Sequence, residues 1–288
     1  MEGVLVALVT PFKDGSVDYK ALKELIDFQI ENGTDGIVPC GTTGESATLS
    51  SEEKKRVIEI TVEHVNKRVQ VIAGTGSNNT RESIALTKWA KDAGADGALV
   101  VTPYYNKPTQ AGLYEHFYAI SQVGLPLCLY NVPSRTSVNL AVSTIEKLSE
   151  IDAIVAIKEA TASMQFASDI IQACGDRLKV LSGDDPTFLP LLSVGASGII
   201  SVTSNVAPQL MADIYDHFIL GKLSAAREAH YYLLPLMNAL FLETNPIPVK
   251  KVLHLMGKIE DEVRLPLTPL SDMHHEKLLQ LLTEFKLI

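Results

Sequence analysis

The sequence predicts an α/β protein: a (β/α)8 TIM barrel followed by a C-terminal helical appendage. Three observations carry this expectation. Eight short apolar runs are each followed by an amphipathic stretch, the runs are apolar throughout rather than alternating, and a glycine-bearing segment recurs three times. Continuously apolar runs mark strands covered on both faces, hence a parallel sheet flanked by helices. Eight such units in roughly 220 residues suit a closed barrel.

In chain order the units are 4–9 with 19–31, 36–39 with 51–66, 69–73 with 81–91, and 98–101 with 111–122. They continue as 127–130 with 142–150, 153–157 with 165–173, 180–182 with 186–194, and 199–202 with 208–220. The repeat is Asn32-Gly33-Thr34-Asp35-Gly36-Ile37, Ala93-Gly94-Ala95-Asp96-Gly97-Ala98 and Val194-Gly195-Ala196-Ser197-Gly198-Ile199. Its first glycine suits a left-handed helix cap. Its second opens a strand and permits close approach of a helix. An open doubly wound sheet is the alternative. Its dinucleotide fingerprint is missing, because Gly74-Thr75-Gly76 has no third glycine at the required spacing. After about Leu223 the strand signal stops. Residues 224–241, 248–256 and 272–285 read as helices, separated by Pro246, Pro248, Pro266 and Pro269. The expected division is a catalytic barrel over 1–223 and a helical domain over 224–288, packing on the barrel or on a partner subunit.

Of the 288 residues, 46% are hydrophobic and 20% charged, enough apolar material for a large core and too much for disorder. The net charge of -9 argues against a nucleic-acid groove. Cys40, Cys128 and Cys174 are odd in number, far apart and without zinc or redox spacing. They read as buried apolar residues in a reducing compartment. The seven histidines show no metal-ligand spacing, and His274-His275 reads as solvated. No basic leader precedes the first apolar run, and no run is long enough to span a bilayer. A cytoplasmic protein with no membrane contact and no bound metal is expected.

Barrel enzymes carry their chemistry at the C-terminal ends of the strands. Those ends read Gly41-Thr42-Thr43-Gly44-Glu45-Ser46, Thr102-Pro103-Tyr104-Tyr105-Asn106, Tyr130-Asn131-Val132-Pro133-Ser134-Arg135-Thr136, Ile157-Lys158-Glu159 and Ser182-Gly183-Asp184-Asp185. Lys158 closes an otherwise apolar run. Burial disfavours an ammonium, and a neutral amine attacks a ketone to form a Schiff base. A lysine snorkelling to solvent at a strand end reads equally well from position alone. Tyr130 ends the adjacent strand, about 4.8 Å away, within reach of a proton-shuttling role. The loop 41–46 offers two threonine hydroxyls and backbone N–H groups to a small carboxylate, or is an ordinary capping turn before Ser51. Arg135 suits bidentate grip of a second carboxylate, or lies solvated. Asp184 or Asp185 reads as the cap of the following helix rather than a cation ligand.

Together with Asn245-Pro246-Ile247-Pro248-Val249-Lys250, these motifs run in order over nearly the whole chain, and jointly they resemble the dihydrodipicolinate synthase family. The resemblance implies condensation of pyruvate with L-aspartate 4-semialdehyde on the diaminopimelate route to lysine, with no cofactor or metal. Lys158 would carry pyruvate as an imine and Tyr130 would donate and accept protons. Thr42 would link Tyr130 to a Tyr105 reaching in from a neighbouring subunit of a homotetramer, a dimer of dimers. Thr43, the backbone at Ile200, and Gly183 would bind substrate, and Arg135 would hold the semialdehyde carboxylate. Sugar-acid aldolases of the N-acetylneuraminate lyase type share the lysine and tyrosine. Arg135, with Thr43 in support, favours the synthase. A sensor without catalysis would have no need of Lys158. The family's lysine-inhibition pocket corresponds to Ser46, Ala47, Asn78, Glu82 and Tyr104. Its histidines are replaced here by Ser51 and Lys54, and a cation at Lys54 would repel a lysine ammonium. Weak or absent feedback inhibition is therefore expected.

Overall fold

A computed structural model describes all residues, 1–288. The chain opens with β1 (Gly3–Ala7), then a small antiparallel hairpin, β2 (Phe12–Lys13) with β3 (Ser16–Val17), before α1 (Tyr19–Glu31). The hairpin is absent from the pattern of apolar runs. Its signal is the Asp14-Gly15 pair, and both residues adopt positive φ, as a tight hairpin turn requires. The repeating pairs follow: β4 (Gly36–Val38) with α2 (Ser51–Val65), β5 (Gln70–Gly74) with α3 (Thr80–Asp92), and β6 (Gly97–Val101) with α4 (Gln110–Ser121). Next, β7 (Leu127–Asn131) leads through the single turn α5 (Pro133–Thr136) to α6 (Val142–Leu148). The barrel ends with β8 (Ile154–Glu159) and α7 (Met164–Cys174), β9 (Lys179–Ser182) and α8 (Phe188–Ser193), then β10 (Gly198–Ser201) and α9 (Pro208–Ile219).

The eight long strands are all parallel, and β1 pairs with both β4 and β10. That double pairing closes the ring and removes the open-sheet alternative. Side chains alternate between two apolar layers. Leu5, Val38, Ile72, Leu99, Cys128, Tyr130, Ala156, Leu181 and Ile200 fill the barrel interior. Their neighbours in sequence, such as Val4, Ile37, Val71, Leu129 and Ile157, face the helices. This alternation hides in the sequence because both faces are apolar.

The repeated glycines divide as expected in one respect and differ in another. Gly33, Gly94 and Gly195 close their helices with positive φ. The strand-opening glycines, however, make room for a neighbouring strand, not a helix. A Cβ on Gly198 would stand 2.1 Å from the backbone oxygen of Gly3 on β1.

Beyond the barrel lie α10 (Leu223–Ala239), α11 (Ile247–Leu255) and α12 (His275–Glu284). Leu233, Leu236, Val252, Leu253, Leu278 and Leu282 join the same apolar layer as the barrel's outer face. The helical stretch is therefore packed onto the barrel within one chain. No helix is long and apolar enough to cross a membrane.

Candidate active site

The C-terminal rim of the barrel opens into a cavity of about 570 Å3. Its walls include Thr42, Tyr130 and Arg135, and also Ser46, Ala47, Asn78, Glu82 and Tyr104. Thr42, Tyr130 and Arg135 thus border one continuous space with the residues expected to bind an inhibitor, while Lys158 and Tyr105 are not among its lining residues. Lys54 lines it too, whereas Ser51 borders an adjacent cleft.

Lys158 and Tyr130 come together because of strand register. They are direct partners in the β7–β8 pairing, so both point into the barrel. The Lys158 Nζ lies 4.5 Å from the centroid of the Tyr130 ring, and the two residues are 5% and 6% exposed. A lysine snorkelling to bulk solvent is not what the chain builds. The amine nitrogen lies over the aromatic ring in a desolvated place. Its neighbour Glu159 points outward and is also buried, with Oε1 accepting from the Thr161 N–H and Oε2 unpartnered. Burial raises its carboxyl above the usual range.

Gly183 follows β9 and lies against the lysine. A Cβ there would stand 2.9 Å from Lys158 Cε and 2.7 Å from Ala160 Cβ. Ile200, on β10, is a fully enclosed residue of the barrel interior. Lys158, Gly183 and Ile200 sit at the strand ends rather than on the cavity's outer walls.

Thr43 is buried, and its Oγ1 accepts a 3.0 Å hydrogen bond from Asn245 Nδ2. The Asn245 carbonyl accepts from the Arg135 guanidinium at 3.2 Å. One residue of the segment before α11 therefore touches both proposed carboxylate-binding groups. Asn245 stood in the sequence only as part of a matched motif, with no role assigned. Its partners lie 202 and 110 residues away, so no local pattern reveals the link. Arg135 rides on α5, which Pro133 opens at its first turn, where a missing N–H costs nothing.

Tyr105 does not reach this cavity in its own chain. It is 91% exposed, with φ of 70°. The backbone around it is pinned: Asn78 donates to the Tyr104 carbonyl at 3.1 Å and Asn106 to the Asn78 carbonyl at 2.9 Å. The ring points away from the cavity of its own chain.

The aspartates after β9 behave differently from one another. Asp184 accepts from the Thr187 N–H at 3.1 Å in the turn before the helix; it does not cap α8, whose N-terminal residue Thr187 carries no side-chain cap, so the expected capping role is not built by either aspartate. Asp185 instead turns inward and accepts from Ser201 Oγ and from the N–H groups of Val202 and Thr203. It fixes the backbone just past Ile200. Its carboxyl is raised by burial, against the pull of these donors. Cys40 and Cys128 are buried, and burial pushes both thiols up to about 12, which leaves them unreactive.

Residues 1–285 match the Dihydrodipicolinate synthetase family. A 4-hydroxy-tetrahydrodipicolinate synthase of Geotalea daltonii is 57% identical over 288 residues, covering 100% of this chain and 99% of that one. The crystal structure of dihydrodipicolinate synthase from Aquifex aeolicus superposes with a TM-score of 0.98 at 51% identity, covering 100% and 99% of the two chains. That of the chloride-inhibited enzyme of Acinetobacter baumannii, complexed with pyruvate, gives 0.97 at 49%, again covering 100% and 99%.

Proposed function

The chain belongs to the dihydrodipicolinate synthetase family, and from that premise we propose how its own residues perform the reaction. It is a lyase, a 4-hydroxy-tetrahydrodipicolinate synthase, which condenses pyruvate with L-aspartate 4-semialdehyde in lysine and diaminopimelate biosynthesis. The observation that carries the residue assignment is the buried Lys158–Tyr130 register pair.

Lys158 Nζ attacks the ketone carbon of pyruvate, and loss of water leaves an imine. The imine draws electrons from the methyl carbon, which loses a proton to become an enamine. Tyr130 carries protons in both directions. The enamine carbon attacks the aldehyde of the semialdehyde, leaving a hydroxyl. The semialdehyde's own amino group then displaces Lys158 from the imine carbon, closing the ring and freeing the enzyme. One water is released overall. Thr43 and the backbone at Ile200 hold the pyruvate carboxylate. Gly183 leaves room beside the reacting amine, and Arg135 grips the semialdehyde carboxylate. Thr42 passes protons between Tyr130 and the Tyr105 of a neighbouring subunit. The outward, pinned Tyr105 supports a homotetramer in which each site is completed by another copy.

A sugar-acid aldolase would use the same lysine and tyrosine. Arg135 facing the cavity favours the synthase, because a second carboxylate needs a cation there. The decisive experiment treats the protein with pyruvate and borohydride and maps the adduct by peptide mass. An adduct confined to Lys158 is expected; an adduct elsewhere, or none, refutes the assignment. Parallel turnover with aspartate semialdehyde, N-acetylmannosamine and glyceraldehyde identifies the acceptor.

A further inference from the structure

We propose that Glu45, Lys250 and Arg264 form a buried positioning device that holds the threonine loop and one cavity wall in reactive register. The C-terminal helical stretch is then a working part of the site, not merely packing. This deepens the reading of the site given above and rests on it.

Glu45 closes the turn that carries Thr42 and Thr43, with its N–H donating to the Thr42 carbonyl at 3.0 Å. Its φ is 51°, a left-handed conformation that a non-glycine residue keeps only when its surroundings over-determine it. The C-terminal stretch supplies that constraint. Lys250, on α11, donates to Glu45 Oε1 at 2.6 Å, and both side chains are 1% exposed. The Arg264 backbone N–H donates to Oε2 at 3.0 Å. Two separate C-terminal segments thus occupy the two oxygens of one buried carboxylate.

Arg264 extends the grip. Its guanidinium forks onto Glu53 at 2.8 and 2.6 Å and reaches the Thr48 carbonyl at 3.2 Å and the Gly15 carbonyl at 2.9 Å. The Phe12 ring has Lys250 Nζ 4.1 Å and the Arg264 guanidinium 4.3 Å from its centroid. Both ends of this cluster touch the cavity. Asn245, five residues before Lys250, donates to Thr43, and Pro266 and Leu267, just beyond Arg264, form cavity wall.

A buried ion pair is weak evidence for stability, since apolar residues of like volume often serve as well. What it supplies is direction. Lys250 and the Arg264 N–H reach the two Glu45 oxygens from different segments, and by this proposal that two-sided hold sets the height of the threonine hydroxyls. Burial pushes the Lys250 ammonium below its ordinary value although Glu45 opposes the shift, so the site tolerates a desolvated cation to keep this contact.

The test compares wild type, Lys250→Met, the double variant Glu45→Gln/Lys250→Met, and Arg264→Lys. The double variant leaves no unpaired charge. Arg264→Lys keeps the backbone donor and the charge but loses the fork. The assembled full-length proteins are assayed at a fixed interval below each one's own melting temperature, for kcat, KM for pyruvate, and the rate of borohydride trapping. The double variant is expected to recover melting temperature relative to Lys250→Met. Its kcat/KM for pyruvate should stay about 10- to 100-fold below wild type, the scale of loss from misplacing a reacting group by about 1 Å. Arg264→Lys should lose less. Wild-type kcat/KM in a folded Lys250 variant overturns the proposal, as does a loss that vanishes once melting temperature is matched. If neither Lys250 variant folds, Arg264→Lys decides: wild-type kinetics there overturns it, and a trapping defect at matched stability supports it. Wild type failing to trap pyruvate would instead defeat the assignment of Lys158, a separate outcome.

Discussion

Replacing Gly183 with alanine adds one methyl group at the most crowded point beside the proposed nucleophile. No positive φ is required at Gly183, so the cost of alanine there is crowding and not a left-handed backbone. The new Cβ would lie 2.9 Å from Lys158 Cε, 2.7 Å from Ala160 Cβ and 3.1 Å from the Glu159 carbonyl oxygen. Carbon atoms rest about 3.5–4.0 Å apart. Lys158 Cε and the new Cβ must therefore move apart by roughly 0.6 Å or more. Ala160 can yield only by a backbone shift, because it is a backbone-anchored methyl whose N–H is bonded to the Asn131 carbonyl at 3.0 Å. The displacement is therefore shared between the lysine side chain and the strand-end backbone at Ala160 and Gly183. Overpacking of this kind costs about 1–3 kcal/mol of stability, and moving a reacting atom by about 1 Å costs up to about 100-fold in rate. Gly183→Ala should fold, melt a few degrees lower, and trap pyruvate about 10- to 100-fold more slowly. Stopped borohydride trapping with calorimetry measures both. Wild-type trapping at an unchanged melting temperature would show that the lysine has room the geometry denies it, and the positional role of Gly183 would fall.

Four further expectations follow from the same geometry. Arg135→Ala should lose most turnover with aspartate semialdehyde while still forming the Lys158 adduct with pyruvate; loss of the adduct as well would place Arg135 at the first substrate. Tyr130→Phe keeps the ring against Lys158 but removes the hydroxyl, and turnover should fall by about 100- to 10,000-fold, read by steady-state rates against unchanged secondary structure. L-Lysine should inhibit weakly or not at all, because Lys54 lines the cavity with Glu82 and Tyr104, and Lys54→Ala should strengthen the inhibition; inhibition of the wild type at low concentration would reverse that reasoning. His116 is buried with Nδ1 on Thr80 and Nε2 unpartnered, and burial lowers its pKa to about 4. The unfolded chain then binds a proton that the folded one refuses, so this group's contribution holds above about pH 6.5 and is lost as pH falls toward about 4. In urea unfolding, the stability difference between wild type and His116→Gln should be constant above about pH 6.5 and change only across that window.

The eight strand–helix units were legible because burial on both faces makes strands continuously apolar, a signal that survives without knowledge of partners. The hairpin of β2 and β3 was not, since two-residue strands carry no period and only Asp14-Gly15 marked them. The site shows the same divide. Lys158 and Tyr130 could be paired from sequence because adjacent strands of a parallel barrel bring their ends level, and the register confirms that inference. Asp185 defeated a local reading. Capping is the usual fate of an aspartate before a helix, but burial beside Ser201 offered three donors instead of one.

What sequence reasoning leaves open is a matter of distance along the chain. Glu45 and Lys250 are 205 residues apart, and each alone reads as an ordinary charged residue near a helix. Their meaning arises only when both lose water to one another. Tyr105 is the converse case. Its loop is tied to Asn78 by two hydrogen bonds, its φ is positive and its ring is exposed, a costly arrangement for a residue that serves its own chain alone. The inward pull of Lys250 and the outward thrust of Tyr105 divide the work around one cavity. The chain's own C-terminal stretch sets the height of the threonine loop, and a second copy would complete the proton path. A disturbance of the first should slow imine formation in every assembly state. Loss of the second, by dilution to separated subunits or by Tyr105→Phe in the intact assembly, should slow turnover to the same extent, and dilution should add nothing further to Tyr105→Phe, whereas it should add to a change at Lys250.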